Sequence, residues 1–270
     1  MTTAQPIIDT HVHLWHPRRF RYSWLDKLPP LNRPFLPADF YEASVAANVE
    51  KLIFVEGGAD AGQDLAEAAW ANELAGWEPR LKGIVAQSTL APEDLENLAL
   101  IPLVKGVRPN LQQQINGDGM KWLAQRHWTC DLGVFHPQLP EIIHLAADYP
   151  NVLFIIDHCG KPGILGQVFE PWRQHMKTLS TLANVCCKLS GLTTEADHWN
   201  WQPSHLQPYL AHVLECFGFD RVLFGSDWPV ATLATTYSRW IETLRASVGV
   251  GNETELKKLF HDNAERIYRV

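Results

Sequence analysis

Nothing in this chain's cysteine usage speaks of a disulfide framework. Its five cysteines, two of them adjacent at Cys186-Cys187, form no CxxC pair and no regular spacing, so a reducing, cytoplasmic setting is expected. No block of five like charges occurs, and a net charge of −7 over 270 residues argues against a nucleic-acid or anionic-membrane partner. No apolar run approaches the roughly 18 residues a membrane helix requires, and no basic segment leads into an apolar one at the start. A Gly-rich phosphate turn is missing after the first strand candidate, where His11-Val12-His13 stands instead; an open dinucleotide-binding sheet is therefore disfavoured. There is no repeat of solenoid length and no dividing linker. Neither Ser190 nor Ser226 stands in a nucleophile-elbow context, so a serine-hydrolase mechanism is not expected.

What is present is a core. With 46% hydrophobic and only 20% charged residues, the chain can bury a large interior as one domain spanning residues 1–270. Short apolar runs predict eight strands, at 7–14, 51–55, 81–87, 104–108, 132–136, 152–156, 185–189 and 222–224. Amphipathic segments lie between them. Ala66, Trp70, Leu74 and Trp77 share one helical face, which predicts that both tryptophans are core. A segment opening at Pro140-Glu141 ends before Pro150, and Leu206 to Phe217 stops at Gly218. Repeated strand–helix units imply a parallel sheet with right-handed crossovers, and eight of them favour an α/β fold of the (β/α)8 TIM-barrel type.

Catalytic groups of such barrels collect where strands end. Three stretches place polar groups there: Asp9-Thr10-His11-Val12-His13, Asp157-His158-Cys159-Gly160-Lys161 and Gly225-Ser226-Asp227-Trp228-Pro229. Alternation along a strand predicts that Asp9, His11 and His13 share one inward face. Two imidazoles so spaced can chelate a metal ion or grip a water or a carbonyl oxygen. Asp227 can take a proton from water, and Lys161, past Gly160 and before Pro162, can clamp an anion. Glu56 either orients a histidine or is solvated; a mouth-facing Lys188 or Ser190 could contact substrate, or Lys188 snorkels to the surface. Of the 11 tryptophans, Trp15, Trp24, Trp199, Trp201 and Trp228 fall near strand ends or in mouth loops, where flat rings suit the C–H face of a sugar.

The stretches IIDTHVHLW, GVRPNLQ, HPQLPEII, DHCGKP, KLSGL, VLFGSDWPV and DNAERIY run from one end of the chain to the other. Together they resemble the amidohydrolase superfamily, in its amidohydrolase-2 branch of sugar lactonases and pyrone-dicarboxylate lactonases. The order of the last motifs is similar to the L-fuconolactonase and L-rhamnonolactonase group. The resemblance implies a hydrolase that opens a small sugar-derived lactone. His11, His13 and His158 would surround the carbonyl and the attacking water, with Asp227 as general base. Arg108 would position substrate, Lys161 takes the place of a basic residue in the DH-x-G-[KR] pattern, and Trp228 would join them. His136 would end the fifth barrel strand, where metal-dependent members carry a ligand, and would here count among the substrate-binding residues. The fourth strand ends Val107-Arg108-Pro109-Asn110, which offers no bridging residue for a dinuclear centre. That leaves either a single divalent ion such as zinc on His11, His13, His158 and Asp227, or a metal-free site. A metal-dependent decarboxylase shares the same histidine and aspartate pattern, and a catalytically silent sugar-acid binder could occupy the same scaffold.

Overall fold

The computed structural model describes residues 5–111, 116–249 and 252–270. Gln112, the last residue of the GVRPNLQ stretch, lies outside the described residues. Eight strands form one sheet in chain order: β1 (Ile7–Val12), β2 (Val49–Val55), β3 (Leu81–Ser88), β4 (Val104–Pro109), β5 (Thr129–Leu132), β6 (Leu153–Ile156), β7 (Val185–Leu189) and β8 (Val222–Phe224). Every neighbouring pair is parallel. The segment after β8 pairs back onto β1. Asp227 N donates to His11 O at 2.9 Å and His13 N to Trp228 O at 2.8 Å, with a parallel bridge between Val12 and Trp228. The (β/α)8 barrel is thereby closed.

Period-two alternation sorts the strand residues into two apolar sets. Ile8, Ile53, Val55, Val85, Ile155, Cys186 and Leu223 pack together inside the barrel. Their neighbours Ile7, Leu52, Phe54, Ile84, Phe154, Val185 and Val222 pack outward with the helices. Those helices include α1 (Pro37–Ser44), α2 (Asp64–Leu74), α3 (Pro92–Leu98), α4 (Gly117–Arg126), α5 (Leu139–Asp148), α6 (Trp172–Ser180), α7 (Pro203–Phe217) and α8 (Tyr237–Val248). The chain finishes in α9 (Glu253–Lys257) and α10 (Asn263–Tyr268). Ala264, Ile267 and Tyr268 of α10 join the interior cluster and fill the end of the lumen away from the site.

Helix ends match the sequence signals where proline or glycine sets them. α5 stops before Tyr149-Pro150, and α7 ends against Gly218 at φ 61° and ψ 179°, a positive-φ conformation that glycine adopts without a Cβ clash. Three expectations fail. The fifth strand is Thr129–Leu132, not 132–136. Asp131 lies within it, its carboxylate fully buried and paired inside the barrel. Trp77 is 84% exposed rather than core, because α2 ends at Leu74 before the helical face can extend to it. Asp9 does not share the face of His11. A register shift in β1 between Asp9 and Val12 breaks the alternation, and the Asp9 carboxylate turns to Ser226 N at 2.9 Å and the Tyr237 hydroxyl at 2.9 Å.

Candidate active site

The shift in β1 aims His11 and His13 at the end of the barrel where β6 and β8 deliver His158 and Asp227. Asp227 Oδ1 lies 3.4 Å from His13 Nε2, 3.8 Å from His11 Nε2 and 4.0 Å from His158 Nε2. All four side chains are buried. The four residues named from the sequence do converge.

The backbone beneath them is held in an unusual shape. His158, Cys159 and Asp227 have φ of 54°, 53° and 59°, left-handed values that cost roughly 1–3 kcal/mol each for a residue with a Cβ. Surrounding contacts enforce them. Cys159 O accepts from Trp172 Nε1 at 2.7 Å, His158 N donates to Ser190 Oγ at 3.3 Å, and Asp227 O accepts from Ala231 N at 2.8 Å. Small residues leave the room: a β-carbon on Gly225 would stand 2.6 Å from His11 Cβ.

Hydrogen bonds fix two of the rings. His13 Nδ1 faces the carbonyls of Val55 at 3.0 Å and Glu56 at 2.9 Å. Carbonyls only accept, so Nδ1 bears a proton and donates. His158 Nδ1 meets Ser190 Oγ at 2.9 Å. Burial lowers the His158 pKa to about 4, with Lys161 and Arg108 adding to the effect against the pull of Asp227 and Asp157. Burial likewise pushes His11 well below the ordinary imidazole value despite Asp157 beside it. Burial opposes ionisation of Asp227 too, but the facing imidazoles of His158, His13 and His11 outweigh it, and its carboxyl falls well below the usual range. At neutral pH the centre is a carboxylate beside neutral His11 and His158.

Could this centre hold a metal ion? His11, His158 and Asp227 offer ligand atoms within 4.8 Å of one another. His11 Nε2 is buried without a hydrogen-bond partner, as an atom awaiting a cation would be. Two nitrogens and a carboxylate oxygen with a position left open suit one zinc ion. The residues fit. His13 lies outside that three-residue group and approaches it through Asp227.

A second layer of charge supports the first. Asp157 Oδ1 lies 3.4 Å from His11 Nδ1 and 3.1 Å from Lys188 Nζ, and Oδ2 lies 3.1 Å from Arg108 Nε. Arg108 also pairs with Glu56 Oε1 at 3.0 Å. Burial works against the Asp157 anion, but Lys188, His11 and Arg108 hold its carboxyl well below the ordinary value. Glu56 therefore serves twice, its backbone orienting His13 and its side chain holding Arg108. Lys188 is neither at the mouth nor at the surface; it is fully buried. Asp157 and Asp131 gained no role from the sequence, although Asp157 directly precedes His158 in the DHCG stretch; Ser190, a candidate substrate contact from the sequence, instead meets His158.

Other expected contributors sit further out. Arg108 lines a cavity of about 290 Å³ with Gln87, Asn110 and Gln138. Lys161 and His136 line a separate one of about 580 Å³, where Lys161 Nζ is 3.5 Å from Glu195 Oε1 and 4.8 Å from the Phe135 ring centre. His136 falls in the turn His136–Gln138 after β5, not at the strand end. The Trp228 ring is buried against Phe35 and Phe40, each 5.4 Å between centres. It is a packing residue where a sugar platform was expected. Trp15 and Trp201 are buried as well, while Trp199 is 90% exposed.

A sequence profile described as amidohydrolase matches residues 8–270. The chain belongs to the amidohydrolase family. It is similar to an L-fucono-1,5-lactonase of Burkholderia multivorans, with 31% identity over 277 residues, covering 87% of this chain and 88% of the relative. An L-rhamnono-gamma-lactonase of Scheffersomyces stipitis is 26% identical over 175 residues, covering 56% of this chain and 52% of that protein. The crystal structure of an amidohydrolase from Burkholderia multivorans with bound zinc superimposes with a TM-score of 0.88 at 30% identity, over 99% of this chain and 100% of that one.

Proposed function

We propose that this amidohydrolase opens a small sugar-derived lactone, of the L-fuconolactone or L-rhamnonolactone class, to its hydroxy acid. The observation that carries the reading is Asp227 Oδ1, ionised and within 4.0 Å of three imidazole nitrogens at a barrel mouth. The lactonase relatives support the substrate class.

Asp227 takes a proton from a water lying against His11 and His13. The water oxygen attacks the ring carbonyl, and the carbonyl oxygen gathers negative charge beside the imidazoles. Each donor so placed contributes on the order of 3 kcal/mol to the transition state. As the carbonyl reforms, the ring C–O bond breaks and Asp227 returns its proton to the departing ring oxygen. A carboxylate this far below its usual range is a weak base, which matches an electrophilic ester with a tethered leaving group better than an amide. A zinc ion held by His11, His158 and Asp227 would polarise the carbonyl and acidify the water. Arg108, held by Glu56 and Asp157, presents its guanidinium to the neighbouring polar cavity and orients substrate hydroxyls there.

A pH-indicator assay over a panel of aldonolactones, run with and without chelator, tests the reading, since each ring opening releases a proton. Turnover of at least one six-carbon or deoxy-sugar lactone is expected. Silence across the panel would reject the assignment, and carbon dioxide release from an aromatic or keto acid would replace it with decarboxylation. Five free cysteines, four of them buried, fit the cytoplasm as the place of action. Among the described residues no helix is long and apolar enough to cross a membrane.

A further inference from the structure

Lys188 has no solvent exposure and no part in the hydrolysis above, yet its ammonium touches the machinery. An ammonium has three N–H donors and no acceptor. Two of them meet Asp131 Oδ2 at 2.5 Å and His11 Nδ1 at 3.4 Å, and Asp157 Oδ1 lies 3.1 Å from the ammonium as an opposing charge. Asp131 is pinned in turn by the hydroxyls of Tyr268 and Thr129, both at 2.7 Å, so the ammonium is held in place. Because lysine only donates, its contact with Nδ1 needs the lone pair of the ring there, and a neutral imidazole then carries its one proton on Nε2. Asp157 Oδ1 is equally near the ring, at 3.4 Å. Its oxygens, however, lie off hydrogen-bonding geometry, and it acts on the ring as charge.

The geometry points to Lys188 as a positioning residue that decides which nitrogen of His11 bears the proton. By donating to Nδ1 it makes Nε2–H a donor, buried, without a hydrogen-bond partner and 3.8 Å from Asp227 Oδ1, where the lactone carbonyl oxygen would turn negative. A metal ion on Nε2 needs that nitrogen's lone pair instead. A ring so held would carry its proton on Nδ1, beside the Asp157 charge 3.4 Å away. Lys188 thus favours the donor form of the ring and Asp157 the ligand form. The consequence for rate rests on the lactone reading; the proton's position does not.

The test uses the full chain with nitrogen-15 histidine rings, dialysed against chelator. Proton–nitrogen correlation spectra at neutral pH report the tautomer, and His11→Asn assigns the signal. The wild type is expected to hold the His11 proton on Nε2. Lys188→Met combined with Asp131→Asn removes one charge of each sign and is expected to move that proton to Nδ1. On the lactone panel, kcat should then fall about tenfold or more with KM little changed. A wild-type ring protonated on Nδ1 overturns the proposal whether or not the variant folds. A folded double variant still protonated on Nε2 also overturns it. The tautomer is read without substrate, so a lactone panel without turnover would reject the hydrolase reading alone.

Discussion

Gly191 lies so close under His158 that a β-carbon there would stand 2.4 Å from its Nδ1 and 2.9 Å from Asp227 Oδ2. At φ 59° the position also suits glycine on backbone grounds. Gly191→Ala is therefore expected to displace both groups. Turnover should fall by about a hundredfold, the scale of a misplacement near 1 Å, and stability by roughly 1–3 kcal/mol. Urea unfolding and lactone turnover on the same preparation separate the two effects. An alanine variant with normal kcat would show that the imidazole need not sit where it does.

On the proposed mechanism Asp227 accepts the proton of the attacking water, so Asp227→Asn removes the base while keeping the shape. Activity should drop about 10²–10⁴-fold, with far-ultraviolet circular dichroism unchanged. Activity within threefold of wild type would assign the proton transfer elsewhere.

Glu67 on α2 is buried and accepts from the Tyr22 hydroxyl at 2.7 Å and Gly57 N at 3.1 Å. Burial, followed by the neighbouring Glu56 charge, pushes its pKa from 4.5 up to about 8. The unfolded chain releases this proton at lower pH than the folded one, so folding loses stability as pH rises from 4.5 to 8. Across that window the loss is about 1.4 kcal/mol at most for each tenfold fall in proton concentration. Glu67→Gln, which imitates the protonated acid, should flatten that decline. Thermal unfolding of both proteins at pH 5, 6, 7 and 8 measures it; parallel curves would remove Glu67 as the cause.

Gly133 follows β5 directly beneath Arg108, and a β-carbon on it would stand 2.2 Å from Arg108 Nη2. Gly133→Ala moves the guanidinium without deleting its charge. KM for the best lactone should rise about tenfold, with kcat changed less, if Arg108 provides substrate binding that is equal in ground and transition state. Steady-state kinetics give the split; a fall confined to kcat would place Arg108 in the chemistry itself.

Two tryptophans give opposite stability expectations. Trp228 fills an aromatic cluster with Phe35 and Phe40, and Trp228→Ala should cost about 3–5 kcal/mol. Trp77 is largely in solvent, and Trp77→Ala should change stability by about 0.5 kcal/mol or less. Urea midpoints of the two variants decide between core and surface for each.

Much of the barrel was legible because buried parallel strands need near-continuous apolar runs, and runs such as Val152 to Ile156 satisfy that need over a few adjacent residues. The four central groups were legible for a related reason: a polar residue where such a run stops has one place to go, the barrel mouth. Strand five was not legible because Thr129-Cys130-Asp131-Leu132 is no continuous apolar run: Asp131, buried and paired with Lys188, interrupts it.

His11, His13, His158 and Asp227, and the eight-fold strand–helix rhythm that delivers them, are properties of the sequence itself, since both depend on side-chain period and on the polar residues that terminate each apolar run. The charge network beneath them was decided only in three dimensions. Lys188, Asp131, Asp157 and Arg108 tolerate burial because strands distant along the chain bring opposite charges within about 3 Å in a low-dielectric interior, where an unpaired charge would be very costly. The facing of His11 was settled in the same way, by a one-residue slip of β1 against β2 that no local pattern announces. Residue identity chose the chemistry; closure of the barrel chose which nitrogen, which oxygen and which neighbour.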